Sequence, residues 1–408
     1  MTPVPVLHQP VDPSRPRTVG WMRGCCLLVV ALCLGACSQN PLDRRAVASL
    51  SPLTLDEKVI HPAEVPDLVV TPDLLATDQA MRDFVKRYTQ GIPSGRARVM
   101  SLHQAVRGSA SLGIEYDASA EGTARDVFHR GTANCLSYAT LFVALAREAG
   151  LDAQFQWLKV RPQWTVKGER VMVRVHVNVM VYANERDHFM VDIDPLPSED
   201  VAGSRRLTDD DARALYHANI AMNALAEGQT EQAWLHSTRA LQLSPGMAQL
   251  WVNIGAVYRS AGQHADAESS YLQALELDRW NDSAMNNLVV LYRLEGREEE
   301  RLQWARRVEQ YRKENPYYHA WKGDEAARQK EWQRARGYYK RALQLLPSDS
   351  RLLYSVGLTY QEMNEPGKAQ EYIERAIEHA TLRSDIEAYT LQLQMVKEDL
   401  RAVHAKDA

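Results

Sequence analysis

The chain has 408 residues, enough for two or three domains with cores of their own. Its 48 Lys and Arg against 52 Asp and Glu leave a net charge of -4, which argues against nucleic acid as the main partner, because phosphate binding wants a basic surface. Four of the five cysteines crowd into the first 40 residues and only Cys135 lies in the body, so no disulfide framework or multi-cysteine metal site can form there. No set of His, Asp and Glu with ligand spacing points to a metal, and nothing points to another cofactor.

At the start of the chain, Arg15, Arg17 and Arg23 precede an apolar run from Cys25 to Leu34. A run of about ten residues is too short to span a bilayer comfortably and has the size of a signal-peptide core. It ends in Leu34-Gly35-Ala36-Cys37, which resembles a bacterial lipobox. The resemblance implies a signal peptide over 1–36, and a lipidated, palmitate-type anchor on Cys37 that tethers the chain to a membrane of the bacterial envelope. With Ser38 rather than Asp after the cysteine, it further implies the outer membrane, facing the periplasm. An ordinary secretory signal cut after Ala36 is the other reading, and Met22 is an alternative start. Residues 37–73 hold Pro41, Pro52, Pro62, Pro66 and Pro72, which break any helix, and are expected to form a flexible tether.

Residues 74–200 form a second region. Stretches 77–90 and 96–108 read as helices. In Arg130-Gly131-Thr132-Ala133-Asn134-Cys135, Gly131 interrupts one helix and Thr132 or Asn134 caps the next. That next helix continues through Leu141, Phe142 and Leu145 to Gly150. Cys135 therefore sits at a helix N-terminus, where exposed N–H groups and the helix dipole favour thiolate, the setting a nucleophilic cysteine needs. After Gly150 the period becomes two. Residues 154–160 and 171–182 read as strands, the second with alternating valines on one buried face and His176 on the other. A third strand over 189–193 carries Asp192 and runs on to Asp194-Pro195. His129 reads as a surface helix residue and His188 as part of a hairpin loop.

A cysteine-bearing helix, a histidine strand and an aspartate strand, in that order, resemble the transglutaminase-like superfamily, with its papain-type thiol chemistry. The resemblance implies an α+β cysteine-protease-type domain. It implies Cys135 as nucleophile, His176 as general base and acid, and an aspartate that orients the imidazole. Asp194, before a proline, fits the family pattern; Asp192, nearer the strand body, is preferred. Asn178 departs from the aromatic residue often found two places after the histidine.

The remainder shows a 34-residue period. Gly228, Gly262 and Gly296 recur at it, as do Ala233 and Ala267, Ala335 and Ala369, and Tyr258 and Tyr292. Trp251-Val252-Asn253-Ile254-Gly255 followed by Tyr258, Ala267, Tyr271 and Ala274 resembles the tetratricopeptide (TPR) pattern. An all-α solenoid of about five repeats is expected over 201–383, starting near 214, 248, 282, 316 and 350, the third degenerate at Arg301. A capping helix and tail follow over 384–408. Asn219, Asn253 and Asn287 would lie as a row on the concave face, with Arg259 and Arg293 further along the same helices. Amides can hold an extended peptide backbone and arginines its carboxylates, which points to a protein or peptide partner. The oligomeric state is not legible.

Two functions follow from this reading. One is an envelope-anchored thiol acyltransferase or peptidase whose repeats recruit a protein partner. The other is an inactive relative of such an enzyme that serves as a TPR scaffold for an envelope complex. The short linker after Pro195 predicts that the two domains touch.

Overall fold

The computed structural model describes residues 47, 49–55, 58–160, 163–164, 171–172, 175–184, 188–194, 201–380 and 383–407. The signal peptide, Cys37 and Pro195 lie outside these residues.

The thiol domain opens with α2 (Gln79–Thr89) and α3 (Gly95–Arg107), capped by Asp78 and Ser94. After the two-residue strand β3 (Glu115–Tyr116) come α4 (Ala124–Arg130), β4 (Thr132–Ala133) and α5 (Cys135–Glu148). Gly131 ends α4 in the left-handed region, at φ 81°, where a side chain is disfavoured. Asn134 then caps α5, its side chain accepting from the Ser137 N–H. Helix α5 is buried on all sides from Leu136 to Ala146, which fits its nearly unbroken apolar sequence.

A four-stranded antiparallel sheet packs on α5 in the order β10-β5-β8-β9, comprising β5 (Asp152–Val160), β8 (Val175–Tyr182), β9 (His188–Val191) and β10 (Val201–Arg206). Two short strands, β6 (Gln163–Trp164) and β7 (Val171–Met172), pair with each other between β5 and β8. The register sets Phe155 opposite Val179 and Val179 opposite Val191, giving one apolar face in the core. Leu158 faces His176 across the same ladder.

Two boundaries differ from the sequence reading. Residues 201–206 are not the start of the solenoid; as β10 they complete the sheet, because their extended stretch finds the open edge of β5. The tether also fails as a description of 49–73. Strands β1 (Leu53–Leu55) and β2 (Lys58–Ile60) form a hairpin, and a 3₁₀ turn (Pro62–Glu64) and α1 (Val65–Leu68) follow. Prolines prevent a long helix but not extended strands and turns; Leu53, Ile60 and Val65 are buried, and β1 and α1 pack on the second helix of the first repeat.

The solenoid pairs α6 (Asp209–Ala226) with α7 (Thr230–Leu243), α8 (Ala248–Ser260) with α9 (His264–Leu277), and α10 (Asp282–Leu294) with α11 (Glu298–Glu314). Two further pairs are α12 (Pro316–Arg328) with α13 (Trp332–Leu345), and α14 (Ser350–Glu362) with α15 (Pro366–His379); α16 (Arg383–Asp407) caps the stack. Close approach within a pair needs a residue without a side chain. A Cβ on Gly255 would meet the Tyr271 ring at 2.6 Å, and one on Gly323 the Tyr339 ring at 2.5 Å.

The 49–73 segment is held to the first two repeats by polar bonds as well. Tyr258 Oη donates to Ser51 O (2.5 Å), Gln242 Nε2 to Pro62 O (2.9 Å) and Arg239 Nε to Thr71 Oγ1 (2.8 Å). Thr71 Oγ1 also bonds His217 Nε2 (3.0 Å), and His217 Nδ1 meets His236 Nδ1 at 2.9 Å. Burial, with His236 and Arg239 nearby, pushes His217 down to about 3, so the two rings pair as neutral imidazoles.

Candidate functional site

Three elements converge at the N-terminus of α5. Asn134 Oδ1 accepts the Ser137 N–H (2.8 Å) and Ser137 Oγ accepts the Asn134 N–H (3.0 Å), a reciprocal cap that sets Cys135 as the first helical residue. His176 stands near the start of β8 and Asp192 one residue beyond β9. Their side chains meet through Nε2 and Oδ2 at 2.5 Å, with relative exposures of 8% and 6%. The carboxylate accepts the Nε2–H and leaves Nδ1 as the ring's other nitrogen. Cys135 is half-buried beside this pair; the Val177 N–H, one residue past His176, and the Leu136 N–H both hydrogen-bond toward its sulfur.

The aspartate that reaches the imidazole is Asp192. Asp194 has an exposed side chain and donates its backbone N–H to Asp192 Oδ1 (3.1 Å), so it holds the carboxylate rather than the ring. Arg107, at the end of α3, pins the same stretch by donating to the carbonyls of Asp192 (3.1 Å) and Ile193 (2.6 Å). Sequence reasoning missed Arg107, because nothing in a helix C-terminal arginine announces a partner 85 residues away.

The acidity of the thiol departs from the sequence expectation. Burial pushes Cys135 above the ordinary thiol value, and the negative charges of Asp192 and Glu121 add to this. Hydrogen bonds from the Val177 and Leu136 N–H groups work the other way and are outweighed. The helix N-terminus is present, but burial outweighs it and disfavours the thiolate. Among the described residues, no group of three or more His, Cys, Asp or Glu is placed to hold a metal ion.

Of the two histidines set aside from the sequence, His129 is exposed and paired with Asp78 (2.7 Å). His188 is the first residue of β9 rather than part of a loop.

On the solenoid, the three asparagines each find a separate partner. Asn219 Nδ2 donates to Glu121 of the thiol domain (2.7 Å), Asn253 Oδ1 accepts from Gln249 (3.0 Å), and Asn287 Nδ2 donates to Ser283 O (2.9 Å). Arg259 and Arg293 lie in the last turns of α8 and α10, near Tyr271 and Glu298 respectively. The domains touch at Glu121–Asn219 and through a bidentate Arg147–Asp209 pair (2.7 and 2.9 Å).

Comparison with known proteins agrees with the architecture. A family model described as the transglutaminase-like superfamily matches residues 82–193, and a tetratricopeptide repeat model matches 248–279 and 350–378. No curated protein matches the chain. Among solved structures, the MamA protein is similar at 18% identity and a TM-score of 0.23, over 41% of this chain and 91% of that one. YrrB, described as a TPR protein with an unusual peptide-binding site, is similar at 18% identity and a TM-score of 0.23, over 43% and 92%. PilF of Pseudomonas aeruginosa is similar at 20% identity and a TM-score of 0.24, over 48% and 90%. The chain joins an α+β transglutaminase-like core domain to an all-α TPR solenoid.

Proposed function

We propose that the thiol domain carries out acyl transfer through Cys135, His176 and Asp192, and that the repeats recruit the protein or peptide on which it acts. The observation that carries this reading is the buried His176–Asp192 pair beside a cysteine at a helix start. His176 takes the thiol proton as the sulfur attacks an amide or ester carbonyl, and an Sγ–C bond forms. The Cys135 N–H, a first-turn donor with no carbonyl partner within the helix, faces the developing oxyanion. The imidazolium, stabilised by Asp192, returns its proton to the departing amine or alkoxide as the tetrahedral centre collapses. Water or an amine then takes the acyl group and frees the sulfur. Repeat solenoids present extended concave binding surfaces, which suits a partner-recruiting role.

A second reading, an inactive scaffold, draws support from the burial and the two acids that disfavour the thiolate. The pH dependence of Cys135 alkylation by iodoacetamide, in the full chain beside His176→Ala, separates the two. Under the acyl-transfer reading the wild type reacts at neutral pH at least about tenfold faster than the variant. Coincident profiles leave the repeats as the function.

The envelope location is part of the same proposal and rests on Leu34-Gly35-Ala36-Cys37. Labelled palmitate should enter the chain and be lost on Cys37→Ser; equal labelling of the variant contradicts the anchor.

A further inference from the structure

One half-buried acid at the start of α5 has no part in the triad. The loop between β3 and α4 is fixed across the start of α5: Arg130 donates to the carbonyls of Glu121 (2.9 Å) and Ala120 (3.2 Å), and Ser137 Oγ donates to Ala120 O (2.7 Å). From this loop the Glu121 side chain enters the space between the domains. Its Oε1 accepts from Asn134 Nδ2 (2.6 Å) and from Asn219 Nδ2 (2.7 Å). Its Oε2 is buried without a hydrogen-bond partner. Asn134 is the cap of α5 and Cys135 is the next residue, so a continuous path runs from the first repeat helix to the sulfur.

The charges around this path are few. Cys135 feels the charge of Asp192 beyond β9, which is bonded to His176 on β8, and that of Glu121 in the loop. Glu121 faces Arg130 on α4, Tyr216 on α6 and the sulfur itself. Burial raises the Glu121 carboxyl above its ordinary value, while the two amides and Arg130 act to keep it ionised. An ionised carboxylate here opposes the thiolate.

We propose that Glu121 is a positioning residue through which the first repeat helix controls the reactivity of Cys135. This rests on Cys135 being the nucleophile. Asn219 and Asn134 share one carboxylate oxygen, so a movement of α6 that releases the Asn219 amide disfavours the Glu121 charge. The solenoid then acts on the chemistry as well as on the partner.

The test is the rate–pH profile of iodoacetamide labelling at Cys135 in the full chain, read by peptide mass spectrometry, for Glu121→Gln, Asn219→Ala and the double variant. Glutamine keeps the acceptor oxygen and removes the charge; its profile should move to lower pH, with labelling at neutral pH faster by about threefold or more. Asn219→Ala should move the profile the same way and add nothing to Glu121→Gln in the double variant, because both act on one carboxylate. A Glu121→Gln profile that stays in place or moves to higher pH overturns the role of Glu121. An Asn219→Ala effect that is absent, or that adds to that of Glu121→Gln, overturns the link to the repeats. Circular dichroism checks the fold. Should Glu121→Gln not fold, Glu121→Asp, which draws the charge back by one methylene, should shift the profile in the same direction by less. The same comparison within His176→Ala keeps this separate from the triad: equal profiles for wild type and His176→Ala remove the acyl-transfer reading, while the Glu121→Gln shift still decides this one.

Discussion

Repeats one to three and repeats four and five follow the same 34-residue period, yet they sit in different cores. The first three share a continuous apolar cluster with the thiol domain, from Leu53 through Val179 and Trp234 to Val308. The last two and the cap close a separate cluster, from Ala320 to Val396. The break falls at α11, which buries only Val308 along its length. At the place where α9 and α13 bury Ala267 and Ala335, α11 has Arg301. A solenoid is held by nearest-neighbour interfaces, so one polar helix is enough to divide it. The front carries the thiol domain and the 49–73 segment; the back meets the thiol domain where α12 approaches β6.

The largest effects should separate the two cores. Trp234→Ala empties the first and should cost about 3–5 kcal/mol; Ile373→Ala empties the second and should cost about 2–5 kcal/mol. In denaturant, with separate probes for the two ends, each substitution should lower its own transition and leave the other. One shared transition moved by both would contradict the division.

Next in size are the close contacts inside helix pairs. Gly255→Ala, driven into the Tyr271 ring in the front core, and Gly323→Ala, driven into Tyr339 in the back, should each lose about 1–3 kcal/mol. The thermal unfolding of each variant checks this, and unchanged melting of either would show that the ring moves aside.

These pairs also show how far the sequence could be read. The repeat starts at 248, 282, 316 and 350 were legible because glycine turns and small residues recur in phase. The compensation in repeat three was not: Val289 and Ala305 stand where repeats two and four have Gly255 with Tyr271 and Gly323 with Tyr339, so the bulk has moved from one helix to its partner. A search for one small residue sees only its loss. In the thiol domain the helix–strand–strand order of Cys135, His176 and Asp192 was legible; parity puts Asp192 and Asp194 on one face alike, and only the nearness of Asp192 to the strand body favoured it. The weakened acidity of Cys135 was not, because burial and the charge of Glu121 depend on what packs over the helix start. The 49–73 segment was misread because its prolines are equally compatible with a loose chain and with a docked hairpin.

A smaller effect tests that docking. Tyr258→Phe removes the bond to Ser51 O and should cost about 1 kcal/mol, with faster proteolysis confined to 49–71. Cleavage at an unchanged rate would mean that the Tyr258–Ser51 bond does not hold the segment.

The smallest concerns Asp282 at the start of α10. Burial raises its carboxyl above the ordinary value, despite Arg312 nearby. A carboxyl raised on folding supports the folded chain fully below its unfolded value, and that support is lost as pH rises through the folded one. Asp282→Asn should therefore raise the melting temperature at neutral pH by a few degrees and change it less in acid. A gain confined to acid would reverse the sign.

The most direct measurement is to mix the full chain with an activated acyl ester, quench early, and weigh the peptide that contains Cys135. A peptide heavier by one acyl group, formed in the wild type, absent in Cys135→Ser and strongly reduced in His176→Ala, is the result expected of a working acyl-transfer site. No adduct in the wild type, or equal adduct in His176→Ala, would contradict it.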